Sequence, residues 1–188
     1  EMSDIRAALE ALAVGGCTDL GVLHCVTSYP AEPRDVNLAV MEQIRAIFPG
    51  PVGYSDHTAG TAVPLAAVAL GADIIEKHIT LERDIPNAQD WKVSCDPSNF
   101  ARLVADIREV EAARGGQPKH LSEAEVQSLR WARKSLTAFC DIPAGAVIRE
   151  SWLIAQRPGS GLPPSELTAV VGRRTLVAIA AGTPLTSD

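Results

Sequence analysis

The distribution of hydrophobic and polar positions predicts alternating strands and helices in the first half of the chain. Runs rich in apolar residues predict strands within residues 20–27, 52–58 and 74–80. Helical patterns cover residues 35–47 and 62–70, and an opening helix has Ser3 as its predicted N-cap and an apolar face made of Ile5, Leu9 and Leu12. Strand, helix and strand in this order form a parallel crossover unit, so the pattern predicts a parallel sheet.

The pattern changes after residue 80. Asp96 and Pro97 are typical of a helix start, and the apolar face that follows them ends at Gly115 and Gly116. Beyond a mostly polar stretch, short β-rich pieces are broken by Pro and Gly. We therefore predict three segments: an α/β part over 1–116, a linker with a short helix over 117–130, and a small all-β domain over 131–188.

Two histidines follow successive predicted strands at corresponding ends. His57 and His78 each close a strand-like run, and parallel strands bring their carboxyl ends to one edge of a sheet, where ligands bind in such folds. Residues two apart share a face, so Ser55 points the same way as His57 and Glu76 the same way as His78. Two imidazoles suit a divalent metal, although a single histidine at a strand end is more often structural and two ligands alone do not define a metal.

Glu76 has two interpretations. A carboxylate on a buried parallel strand is costly unless it is paired or acts on a ligand. Glu76 could orient a metal ligand or bridge to the metal through water, or it could form a buried ion pair with a neighbouring strand. The sequence leaves both open.

Composition and charge exclude several classes of function. The chain has 188 residues and a net charge of −6, with no basic stripe, which argues against a nucleic-acid binder. Its four cysteines are widely spaced without a Cys-x-x-Cys pair, and no apolar run is long enough to span a membrane. A cytoplasmic protein with no membrane association is the expectation.

Three segments resemble the last strands of the sialic acid (N-acetylneuraminate) synthase family. They are Leu23–Pro30 (LHCVTSYP), Gly53–Thr58 (GYSDHT) and Glu76–Leu81 (EKHITL). Residues 133–185 resemble the antifreeze-like (SAF) domain of the same family. The resemblance implies the C-terminal part of a (β/α)8 TIM barrel followed by a small all-β antifreeze-like (β-clip) domain.

The resemblance also implies an activity. Members condense phosphoenolpyruvate with an N-acetylated aldose such as N-acetylmannosamine, using Mn2+ or Mg2+, and give a sialic acid or another nonulosonic acid. A homodimer is implied, in which the antifreeze-like domain of one subunit reaches the barrel of its partner. Because the pattern begins without a leading strand, we expect this chain to be a fragment of such an enzyme and to be inactive by itself.

Residue roles follow from the same resemblance. His57 and His78 fall on the metal-ligand histidines and are expected to be catalytic, together with Asp90. Substrate contacts are implied for four residues, of which the first three face phosphoenolpyruvate and the last reaches the acyl group of the sugar: Thr27, Tyr29, Ser55 and Arg157. The family's usual Gly-Pro-Asp-His is replaced here by residues that end in Asp90-Trp91, which leaves the sugar specificity open.

Two other functions compete with a nonulosonic acid synthase. One is a non-catalytic module in which the β domain binds carbohydrate or a partner surface and the barrel segment is scaffold. The other is a different metal-dependent enzyme on a phosphate-binding barrel, such as an aldolase.

Overall fold

A computed structural model describes residues 1–187, with the side chain of Arg130 outside the description. The chain divides between Gly116 and Gln117 into two compact units. Each unit is described by itself. Together they make a mixed α/β protein. None of the helices within the described residues combines the length and the apolar character needed to cross a membrane.

A three-stranded parallel sheet forms the centre of the first unit. Strand β1 covers Val22–Cys25, β2 covers Val52–Asp56 and β3 covers Ile75–Lys77, in the spatial order β1-β2-β3. The register pairs Cys25 with Ser55 and Ser55 with Glu76. All residues of the middle strand are buried. The parallel sheet predicted from the alternating pattern is confirmed, although the strands are shorter than the runs that predicted them.

Helices cover the sheet and connect its strands. They are α1 (Met2–Val14), α2 (Pro33–Val36), α3 (Val40–Arg45), α4 (Ala62–Ala69) and α5 (Pro97–Arg114). The buried core lies between α3, α4 and one face of the sheet and contains Val36, Met41, Ile44, Val52, Tyr54 and Ala67. Val52 and Tyr54 of β2 therefore face the helices. Because side chains alternate along a strand, Gly53 and Ser55 belong to the opposite face of the sheet.

Two local predictions in this unit are wrong. The opening helix has Glu1 as its N-cap, not Ser3, and Glu1 and Asp4 form a capping box. The single helix predicted over residues 35–47 is divided into α2 and α3, because Asn37 adopts a left-handed backbone with φ of 49° that ends the first helix.

The start of α5 follows its sequence signal. Asp96 is the N-cap, its carboxylate accepts a hydrogen bond from the backbone N–H of Asn99, and Pro97 occupies the first turn. The helix ends at Gly115, as predicted. Leu103 is the buried residue on its inner face.

The second unit starts at Gln117, and its first helix is α6 (Glu123–Ala132). Strands β4 (Ser135–Ala138) and β5 (Leu153–Gln156) then pair antiparallel, and isolated bridges join further extended pieces. The prediction of an all-β domain needs one correction, because the one-turn helix α7 (Leu167–Val170) contributes to the core. That core is built on the buried side chains of Leu136, Ala138, Ile142, Ile148, Val170 and Leu185.

Candidate functional site

The two predicted ligand histidines lie next to each other at one end of the sheet. His57 directly follows β2 and His78 directly follows β3. Their ring centroids are 5.0 Å apart and the ring planes are almost perpendicular, at 86°. His57 is buried and His78 is partly exposed. The strand order therefore brings the two imidazoles together at the carboxyl edge, where parallel sheets bind ligands.

The position of His57 fixes its tautomer. Its Nδ1 atom lies 2.9 Å from the backbone oxygen of Val26. A carbonyl oxygen can only accept, so Nδ1 carries the proton and Nε2 keeps a lone pair. The thiol of Cys25 lies 3.6 Å from the same Nδ1 atom. This arrangement leaves Nε2 as the nitrogen of His57 that can bind a ligand.

The second imidazole faces a carboxylate. Nδ1 of His78 lies 3.6 Å from Oδ2 of Asp90, which is too long for a direct hydrogen bond. Asp90 begins a 3-10 turn that continues through Trp91 and Lys92. The Asp90 carboxylate therefore faces the Nδ1 side of the His78 ring without a direct hydrogen bond to it.

Tyr29 lies over both histidines. Its ring centroid is 4.2 Å from that of His57 and 5.8 Å from that of His78. The chain reaches this point because Ala31 forms a parallel bridge with Thr58. Tyr29 thus forms one wall of the site, and the sequence-predicted residue is brought into contact with the predicted ligand pair.

Ser55 and Glu76 are directly paired across the sheet, on the same face as the histidines. The hydroxyl of Ser55 donates a 2.6 Å hydrogen bond to Oε1 of Glu76. Glu76 is exposed, and the partner found for it is a hydroxyl. Of the two alternatives left open for Glu76, the buried ion pair with a neighbouring strand does not agree with this exposed position, and the role as an orienting group stays a prediction.

The buried ion pair is formed by residues that the sequence reasoning missed. Nζ of Lys77 lies 2.8 Å from Oδ2 of Asp56, and the side chains are 1% and 0% exposed. Burial, followed by the nearby charge of Asp56, raises the pKa of Tyr54 above its ordinary value. The signal was present in the sequence, since opposite charges immediately precede the two histidines.

Two predicted substrate residues are not drawn into these contacts. Thr27 is exposed, two residues beyond the end of β1. Arg157 belongs to the second unit, where its Nε–H donates a 3.1 Å hydrogen bond to the backbone oxygen of Ala132. Both assignments stay predictions.

The histidine pair fits a divalent metal only as an open site. With metal–nitrogen bonds of about 2.1 Å, two imidazoles on one ion have ring centres roughly 4.5–5.5 Å apart, and the observed 5.0 Å lies within this range. Among the side chains that the structure describes, no group of three or more His, Cys, Asp or Glu is arranged to hold a metal ion. Two protein ligands leave the remaining positions to water and substrate oxygen, as a catalytic site requires.

Comparison with known proteins places this site in a family context. The NeuB family model matches residues 1–119, which include both histidines, and the SAF domain model matches residues 133–188. The resemblance stated from the sequence motifs is thereby confirmed. Helix α6 falls between the two matched segments.

Individual relatives agree with the family match. The chain is 42% identical over 166 residues to N,N'-diacetyllegionaminic acid synthase from Legionella pneumophila, which covers 88% of this chain and 46% of that protein. It is 37% identical to human N-acetylneuraminate-9-phosphate synthase, over 84% of this chain and 44% of the relative. The chain thus spans about half the length of the curated relatives it matches.

A solved structure shows the same likeness in three dimensions. The crystal structure of N-acetylneuraminic acid (sialic acid) synthetase from Leptospira borgpetersenii, in complex with citrate, matches with a TM-score of 0.61 and 33% identity, covering 69% of this chain and 45% of that one. The sequence match over most of the chain, the parallel sheet and the likeness to this structure all agree. The chain belongs to the NeuB family.

Proposed function

We propose that the protein carrying this chain condenses phosphoenolpyruvate with an N-acetylated aldose to give a sialic acid or a related nonulosonic acid. The single observation that supports this most strongly is the pair of adjacent imidazoles at the carboxyl edge of the sheet, 5.0 Å apart, within the segment matched by the NeuB family. Relatives with 37–42% identity are named as synthases of such acids.

The proposed reaction forms one carbon–carbon bond and breaks one carbon–oxygen bond. C3 of phosphoenolpyruvate attacks the aldehyde carbon of the sugar, whose oxygen becomes a hydroxyl. Water adds at C2, its oxygen becomes the new keto oxygen, and the C2–O bond to phosphate breaks. One proton of the water ends on the new hydroxyl and the other on the departing phosphate, so the reaction needs no oxidant or reductant.

His57 and His78 are proposed to hold Mn2+ or Mg2+ through their Nε2 atoms. When bound, such a cation supplies Lewis acidity toward the sugar aldehyde. The protein's contribution is orientation: the Val26 carbonyl holds one ring, and the Asp90 carboxylate faces the other. An imidazole already held by a hydrogen bond, as His57 is, spends little free energy on rearrangement when a ligand arrives.

The remaining side chains are proposed to bind the substrates. The Ser55 hydroxyl, which donates to Glu76 at 2.6 Å, is proposed to turn its proton toward phosphoenolpyruvate when that substrate binds. Tyr29 forms a wall beside the histidines. Thr27 is proposed to hydrogen-bond the same substrate. Arg157 is proposed to contact the acyl group of the sugar in a partner subunit, and Trp91 to influence which sugar is accepted.

The proposal is tested by product identity and by the bond that breaks. The full-length gene product is incubated with Mn2+, phosphoenolpyruvate carrying 18O in its C2–O–P bridge, and N-acetylmannosamine or an aldose with two acetamido groups. We expect a product whose mass equals sugar plus pyruvate, with the 18O label in inorganic phosphate.

Two results would contradict the proposal. Label retained in the organic product would exclude cleavage of the C2–O bond. Carbohydrate binding without any phosphate release, for every aldose tested, would instead support a non-catalytic carbohydrate-binding module.

A further inference from the structure

The Asp56–Lys77 ion pair lies on the face of the sheet opposite the histidines. The register places Asp56 directly against Lys77, and side chains alternate along a strand. Asp56 immediately precedes His57, and Lys77 immediately precedes His78. Each member of the pair is therefore joined by one peptide bond to one member of the histidine pair.

Further hydrogen bonds extend the pair around the backbone of His57. Oδ1 of Asp56 accepts from the Tyr54 hydroxyl at 3.1 Å, from the Thr58 N–H at 2.9 Å and from the Thr58 hydroxyl at 2.8 Å. Nζ of Lys77 also donates to the backbone oxygen of Thr58 at 2.7 Å. The residues on both sides of His57 are thus tied to one lysine on the neighbouring strand.

The backbone oxygen of each histidine also accepts a hydrogen bond from a neighbouring loop segment. The oxygen of His57 accepts from the Ala31 N–H at 2.8 Å, and the oxygen of His78 accepts from the Cys95 N–H at 2.8 Å. These bonds attach His57 to the segment that follows β1 and His78 to the segment that precedes α5. The Asp56–Lys77 network adds a buried side-chain connection between the two histidine-bearing strand ends, on the face opposite the Ser55–Glu76 hydrogen bond.

We propose that the buried Asp56–Lys77 pair is a positioning device that sets the separation of the His57 and His78 imidazoles. The inference rests on the proposed function, since it assigns the pair a purpose in ligand binding by those rings. A buried ion pair contributes little net stability compared with well-packed uncharged residues of similar volume, so the fold alone does not call for charges here. When groups that orient metal-binding histidines are removed, the affinity for the metal falls by roughly 10–100-fold.

The test uses the full-length gene product with both charges removed together, as Asp56→Asn with Lys77→Met. Lys77→Met alone leaves a buried, unpaired carboxylate and is expected to unfold the protein. The double variant avoids this and should melt close to the wild type. Two quantities are measured: the Kd for Mn2+ by electron paramagnetic resonance, and the His57–His78 ring separation in a crystal structure without added metal.

Asp73→Asn is the matched control. Asp73 accepts a 2.9 Å hydrogen bond from the Val52 N–H at the opposite end of β2 and lies 3.8 Å from Nη2 of Arg45. It therefore supports the same strands away from the histidines. Its loss should lower the melting temperature but leave the Kd for Mn2+ and the ring separation unchanged.

We expect the double variant to bind Mn2+ about 10-fold more weakly or worse, with a ring separation different from 5.0 Å. An unchanged ring separation, or an unchanged Kd in the double variant while His57→Ala abolishes binding, would overturn the inference. If His57→Ala itself binds Mn2+ with the wild-type Kd, the proposed metal role is what fails, and the ring separation alone then decides whether the pair positions the histidines.

Discussion

At the scale of single residues, Asp96, the N-cap of α5 predicted from the sequence, is expected to make the stability of the fold depend on pH. Hydrogen bonds from the Ser98 hydroxyl and the Asn99 N–H, with Arg83 at 3.1 Å, lower the pKa of Asp96 to about 2 from its ordinary 3.8. A carboxyl whose pKa is lowered by folding stabilises the folded state above its unfolded pKa, and this contribution disappears as the pH falls through the folded pKa.

We predict that Asp96→Ala lowers the melting temperature by a few degrees at pH 7, because the N-cap of α5 is lost. The difference from the wild type should shrink as the pH falls from about 4 toward about 2. Thermal unfolding across this range measures it. Asp96→Asn is the control, since an amide oxygen still caps the helix. If the difference in melting temperature between the wild type and Asp96→Ala does not change with pH, the prediction is contradicted.

Single residues also show where sequence reasoning succeeds and where it stops. Strand order and side-chain alternation were sufficient to place His57 and His78 at one edge, because both depend only on local pattern. Alternation also placed Ser55 with His57. The Asp56–Lys77 pair was missed although opposite charges precede the two histidines, because matching them also requires the register between the strands, which the sequence of a single strand does not specify.

At the scale of elements, close packing around β2 depends on one glycine. A Cβ atom on Gly53 would lie 2.6 Å from Cδ2 of Leu23 and 2.7 Å from Cβ of Ile74. The atom nearest to such a Cβ would be the backbone oxygen of Ile74, which cannot move away without disturbing the adjacent strand. The absence of a side chain at this position is what lets the neighbouring segments approach.

We predict that Gly53→Ala destabilises the protein by about 1–3 kcal/mol through overpacking, as measured by urea unfolding. Gly15→Ala is the matched control, since Gly15 has φ of −72° and a Cβ there meets its nearest atom at 3.4 Å. The control should be neutral or slightly stabilising. If Gly53→Ala and Gly15→Ala change the free energy of unfolding equally, the packing around Gly53 is looser than described.

The elements themselves were predicted unevenly, and the reason is physical. Helix α5 was predicted at both ends because its cap residues act within one turn of the chain. The interruption between α2 and α3 was missed, since an Asn is compatible with a helix and with a left-handed turn. Val36 and Met41, on either side of Asn37, are both buried. Their packing in the core favours the turn at Asn37 over a continuous helix.

At the scale of the whole molecule, the two units have separate cores and separate family matches. The NeuB match ends at residue 119 and the SAF match begins at residue 133. The proposed catalytic residues, His57, His78 and Asp90, all lie in the first unit, where the buried Lys77 is paired with Asp56.

The two adjacent imidazoles are proposed to carry a metal-dependent condensation. The most direct measurement is sugar-dependent phosphate release from phosphoenolpyruvate by the full-length gene product with Mn2+, compared among the wild type, His57→Ala and His78→Ala. His120→Ala is the control, since His120 is an exposed histidine of the second unit with no proposed role. We predict that either site substitution abolishes turnover, at least 1,000-fold (~4 kcal/mol of transition-state stabilisation), while His120→Ala stays at the wild-type rate. Full turnover by the His78→Ala enzyme would contradict the account.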